Sequence, residues 1–106
     1  MEFINLTPHA ITVEGIGTIE PSGTVARVNV TACPRISVGG VRVMKNVFGN
    51  VSGLPAPQLN TVYIVSAMVL NAIGIRAGSD VFAPDTGADA VRNDKGHIVA
   101  VKGLVF

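Results

Sequence analysis

Three arginines, Arg27, Arg76 and Arg92, are the side chains here best suited to binding chemistry. A guanidinium is a planar fork that bonds two oxygens of a phosphate at once. Asn71 carries an amide that can bond an adenine edge from both sides. Tyr63, Ser66, Asp85 and Thr86 add hydroxyls and a carboxylate suited to ribose or base. Together these eight residues spell a site for an anionic nucleotide. Each also has a plainer reading. An arginine alone suits a surface ion pair. Ser66 can cap a helix. Asn71 can face a subunit contact, and Asp85 and Thr86 can bond their own turn.

The charge pattern supports a local anion site over a global one. Over residues 21–79 every charge is positive: Arg27, Arg35, Arg42, Lys45 and Arg76. The acids lie towards the ends, as Glu2, Glu14 and Glu20, then Asp80, Asp85, Asp89 and Asp94. The net charge is only +1, so no broad field draws the chain to DNA. One Tyr, four Phe and no Trp leave little to stack a single strand.

Catalytic and metal motifs are not spelled. His9 and His97 are the only histidines and have no close-spaced partners of the kind zinc requires. Cys33 is the only cysteine, so no internal disulfide forms; it reads as a buried, inert thiol. There is no Gly-x-Ser-x-Gly element, Walker loop or dinucleotide fingerprint. Asp85-Thr86-Gly87-Ala88-Asp89 resembles the catalytic signature of retroviral-type aspartic proteases, homodimers in which two aspartates share a proton across a two-fold axis. That family places the motif early, after an apolar strand and before a glycine-rich flap. Here Pro84 precedes it and the chain closes soon after, so a dimeric aspartic protease is a remote alternative. The expectation is a protein that is not an enzyme, with no cofactor and no metal.

The elements that must position these residues read as a single α+β domain over 1–106, a mostly antiparallel sheet of six to eight short strands with one short buried helix. Ile11 and Val13 alternate with polar neighbours, and Gly15-Ile16-Gly17 turns them into 18–20. Over 24–31, Ala26, Val28 and Val30 share one face and Arg27 and Asn29 the other. Residues 35–38 repeat this briefly, and Gly39-Gly40 turns the chain into 41–45. Residues 49–58 read as a loop, and 61–65 as a buried strand. Ser66 caps a helix over 67–73 that Gly74 ends. A short strand over 79–83 and a loop over 84–90 follow. Asn93-Asp94-Lys95-Gly96 is a hairpin turn, and 98–106, apolar on both faces, reads as a central closing strand.

Residues 46–75 hold no charge. Hydrophobic residues make up 48% of the chain and charged ones 14%, against about 25% charged in an average domain. So apolar a small chain keeps surface for a partner, and a homo-oligomer is expected. The apolar run 62–75 is shorter than the about 20 residues that span a bilayer. With no signal peptide in the first residues, a cytoplasmic protein without membrane contact is expected.

Asn5-Leu6-Thr7-Pro8-His9, 21–27 (Pro-Ser-Gly-Thr-Val-Ala-Arg), Gly53-Leu54-Pro55, Tyr63-Ile64-Val65-Ser66 and 91–98 (Val-Arg-Asn-Asp-Lys-Gly-His-Ile) resemble, in this order, a widespread group of small tailed-phage and prophage proteins. Some members of that group resemble in turn Thoeris anti-defence proteins, non-enzymatic sponges that hold cyclic-ADP-ribose-type and cyclic oligonucleotide signals at subunit interfaces of a homo-oligomer. The resemblance implies a phage protein acting in the cytoplasm of the host cell. It implies sequestration of a cyclic ADP-ribose isomer or cyclic oligonucleotide; on the residue chemistry above, Arg27, Arg76 and Arg92 would hold phosphates, Tyr63, Asn71, Asp85 and Thr86 would read ribose or base, and Ser66 would complete the ligand site. The alternative is a small structural or accessory phage protein, or a protein inhibitor of a host factor.

Overall fold

A computed structural model describes residues 1–106, the side chain of Phe48 excepted. The chain is α+β and mainly strand, with ten strands where six to eight were expected. Four of them, β1 (Glu2–Asn5), β6 (Thr61–Ile64), β7 (Val81–Pro84) and β10 (Leu104–Val105), form the central sheet in the order β1-β6-β7-β10. β1 and β7 both pair with β6 in parallel, and β10 joins β7 antiparallel. Three antiparallel pairs surround this sheet: β2 (Ile11–Val13) with β3 (Gly17–Ile19), β4 (Arg27–Val38) with β5 (Val41–Ser52), and β8 (Val91–Arg92) with β9 (Ile98–Ala100).

β6 is buried because its neighbours cover both edges and α1 (Ala67–Ala72) crosses over to β7. Parallel neighbours need such a crossover. The Ser66 hydroxyl accepts the amide of Val69 at 3.3 Å and starts the helix. Gly74, at φ +71, ends it, and a 3-10 turn over 74–76 follows. The helix buries Val69 and Leu70, each contributing about 1.5–3 kcal/mol, but leaves Met68 and Asn71 exposed, so it is buried on one side only. Tyr63, Val65, Val69, Leu70, Val81 and Leu6 meet in the main core. A second cluster joins Val13, Ala90 and Val101.

Two expectations about strands are corrected. The stretches read as separate short strands on either side of Pro34 are one 12-residue strand, and its partner, also 12 residues, runs on through the first four residues of the expected 49–58 loop. The pairing absorbs Pro34 because the register shifts between Pro34 and Ile36, a bulge that tolerates the missing amide. The closing segment 98–106 is not a central strand. Lys102 and Gly103 interrupt it, β9 pairs outside the main sheet, and β10 lies at the sheet's edge.

The β4–β5 ribbon joins the core only at its base, where Val28 and Val51 pack on it; beyond that it projects. The radius of gyration is 16.3 Å, against about 13 Å for a compact chain of this length.

Candidate functional site: a groove at the ends of parallel strands

Parallel strands bring their carboxyl ends side by side, and ligands commonly bind in the crevice beyond those ends. Here the segments leaving β1 and β6 supply Leu6, Thr7 and Pro8, then Ser66, Met68 and Val69. The start of β4 supplies Arg27 and Val28. These residues line an open groove of about 220 Å³. Its floor is apolar and its polar groups stand at the rim. Arg27 is exposed and makes no ion pair among the described residues. Ser66 uses its oxygen as the helix cap, which leaves the hydroxyl proton free to donate. A guanidinium and a hydroxyl donor beside an apolar floor suit a phosphate attached to a flat, less polar body.

The wall behind this rim is set by Asn5, the first residue of the Asn-Leu-Thr-Pro-His stretch and not among the expected site residues. Asn5 is 1% exposed and fully satisfied. Its Nδ2 donates to the carbonyls of His9 at 2.8 Å and Ile19 at 3.0 Å. Its Oδ1 accepts the Thr7 amide at 2.9 Å and the Thr7 hydroxyl at 2.6 Å. One buried amide thus folds 5–9 back on itself and ties it to β3. The signal for it was an Asn two residues before a Thr-Pro, a pattern that bonds its own backbone.

The other candidate residues lie elsewhere. Tyr63 is wholly buried, and its hydroxyl donates to the Ala56 carbonyl at 3.1 Å. It packs the core in place of the base-reading role expected for it. Arg76 lines a separate cavity of about 320 Å³ between α1 and the ribbon base, with Asn50, Leu54 and Ile73. Its fork is taken by Asp80, Nε to Oδ1 at 3.2 Å and Nη2 to Oδ2 at 2.6 Å. The hydrogen bond to Asp80, opposed by partial burial and aided by the same carboxylate's charge, holds the Arg76 guanidinium above its ordinary pKa. The guanidinium also lies 6.0 Å from the Tyr63 ring centre, within cation–π range. This is a structural clamp on the loop between α1 and β7.

Asn71 is exposed on α1. Asp85 accepts the Gly87 amide at 3.2 Å, closing its own turn, and Thr86 stands at a shallow cavity of about 150 Å³ shared with Thr12 and Val99. Arg92 donates to the Gly96 carbonyl at 3.0 Å and closes the β8–β9 turn. The structure therefore brings Arg27 and Ser66 together, and none of these three cavities is lined by two of the three arginines. Among the described residues no three His, Cys, Asp or Glu side chains gather as a metal site would require. Among the described residues no helix is long and apolar enough to cross a membrane.

Comparison with family models, with curated proteins and with solved structures finds no match for this chain.

Proposed function

We propose that this chain is a non-enzymatic binding protein that holds a phosphate-bearing cyclic nucleotide signal in the Arg27 groove, without turnover, as part of a homo-oligomer. The observation that carries this reading is Arg27 itself: an exposed guanidinium without an ion-pair partner, beside the Ser66 hydroxyl, at the carboxyl ends of two parallel strands. The groove, at about 220 Å³, is smaller than the roughly 300–1,000 Å³ of a typical ligand site, and in this reading a neighbouring copy supplies the facing wall. The likeness to phage anti-defence proteins supplies the ligand class, a cyclic ADP-ribose isomer or cyclic oligonucleotide, and with it the role of evading antiviral immunity in the host cell.

The test is calorimetry of the full chain against a panel of such cyclic nucleotides, with chromatography of the ligand released on heating. Binding with unmodified ligand returned, weakened about tenfold by Arg27→Ala, is the expected result, since a charge-assisted bond is worth about 1.5–3 kcal/mol. No binding by any member of the panel would transfer the function to the second reading, a small structural or accessory phage protein or an inhibitor of a host protein. One observation favours that reading specifically: the ribbon presents uncovered apolar side chains, which suit a protein partner.

A further inference from the structure

The β4–β5 ribbon cannot be explained by the chain that carries it. An isolated two-stranded hairpin is at best marginally stable in water, and this one extends well past its anchored base. Near its tip the cross-strand pairs Val38–Val41 and Ile36–Val43 fall on the same face, one step of two apart. All four side chains are exposed, Ile36 at 61% and Val41 at 65%. Val30, Met44 and Val47 are exposed nearer the base. Such a surface, with two unpaired strand edges, calls for a cover.

The charges say what the cover is. Segment 27–52, the whole ribbon, carries Arg27, Arg35, Arg42 and Lys45 and no acid. Segment 1–26, which forms β1, β2 and β3, carries Glu2, Glu14 and Glu20 and neither lysine nor arginine. All seven of these side chains are exposed. In the rest of the chain, four acids balance four bases. The opposite charges of this small protein are thus sorted into two adjacent segments, yet within one chain the ribbon packs on α1 and on its own second strand, and scarcely on β1–β3.

We infer that the ribbon of one copy lies across the β1–β3 unit of a second copy, its valine and isoleucine face set against that unit and the basic stretch Arg35, Arg42 and Lys45 drawn to Glu2, Glu14 and Glu20. This docking stands independently of the nucleotide reading. It commits to a second copy over nucleic acid because the tip face is apolar, which phosphates do not reward, and because the acidic counterpart is present in the same molecule.

Charge exchange tests it. One variant reverses the ribbon (Arg35→Glu, Arg42→Glu, Lys45→Glu), and another reverses the body (Glu2→Lys, Glu14→Lys, Glu20→Lys). Circular dichroism checks that each is folded, and sedimentation follows association. Wild type should self-associate at micromolar concentration, less tightly in high salt. Each variant alone should associate at least tenfold more weakly, and an equimolar mixture of the two should recover a complex. A wild type that stays monomeric, variants that associate as tightly as wild type, or a mixture that does not recover a complex would each overturn the docking. So would a monomeric wild type that binds duplex DNA through the ribbon, which would make it a nucleic-acid arm. A second measurement needs no variant: hydrogen exchange of wild type above and below its dissociation concentration. Protection should rise together in 30–47 and 1–26, and protection confined to other segments refutes the docking.

Discussion

Gly53→Ala is the substitution whose cost can be built up most completely from the geometry. Gly53 follows β5 where the ribbon rejoins the body, at φ +79. A Cβ there would lie 2.5 Å from the Val25 carbonyl oxygen and 3.3 Å from the Ala26 Cα. These are backbone atoms, just ahead of β4, so the contact closes the ribbon's neck and cannot be relieved by a rotamer change. The left-handed backbone costs a residue with a Cβ about 1–2 kcal/mol. Restricting the unfolded chain returns about 0.4–1 kcal/mol. Forcing a methyl into filled space adds about 1–3 kcal/mol. The net loss is about 1–4.5 kcal/mol, or a fall in Tm of roughly 4–18 °C at about 4 °C per kcal/mol. Gly96→Ala is the control. Its φ is +80, but a Cβ would meet nothing within 4 Å, so only the backbone cost applies, about 1 kcal/mol. Thermal melts of both variants separate the two contributions. Equal Tm losses would refute the claim that the neck is sterically closed at Gly53.

Asn5→Ala removes all four bonds of a buried amide and leaves the Ile19 and His9 carbonyls without that donor; a loss of about 2–4 kcal/mol is expected by denaturant titration. Val101→Asp places a carboxylate in the cluster of Val13 and Ala90, where Val101 is 3% exposed, and should unfold the chain, with a cost of roughly 3 kcal/mol or more; a cooperative melt at the wild-type temperature would contradict this. Arg76→Gln should cost about 1–2 kcal/mol by removing the fork on Asp80. Because the guanidinium is held above its ordinary value, its contribution is fully present below that value and is lost only as pH rises through the raised one. The difference between wild type and variant should therefore stay flat from about pH 6 to 9, and a steep change in that window would show that another group governs it.

Local chemistry was legible in the sequence where a few neighbouring residues decide it. Ser66 as a cap, Gly74 as a helix end, the turns at Gly39-Gly40 and Asn93–Gly96, and the buried strand, expected over 61–65 and found at 61–64, all depend on the identity of residues within one turn. The ribbon was not legible as one object because Pro34 reads as a break, and only a partner strand with a register shift carries the pairing past it. The closing segment misled for a related reason. Apolar residues on both faces suggested a central strand, whereas Val101 is buried by bridging to β2 while its neighbours turn away. The groove shows the limit for function. Arg27 and Ser66 could each be named as candidates, but their juxtaposition follows from the parallel pairing of β1 with β6 together with the bond from the Ala26 amide to the Leu6 carbonyl, contacts between residues far apart in sequence that no periodicity reports.

That same pairing dictates an order of events when the chain folds. β1 must wait for β6, so the central sheet cannot close until the chain beyond residue 60 is available. The β4–β5 hairpin is local and can form within about 1–10 μs of its strands becoming free. Once formed, it brings residues 27 and 52 together and roughly halves the loop that β1 and β6 must close, lowering the entropic barrier by about 0.6 kcal/mol. The projecting ribbon is therefore also a shortcut for a topology of high contact order. The same shortcut exposes valine and isoleucine early, before any second copy is folded to receive them. On a nascent chain, the segment suited to assembly is also the one most open to aggregation.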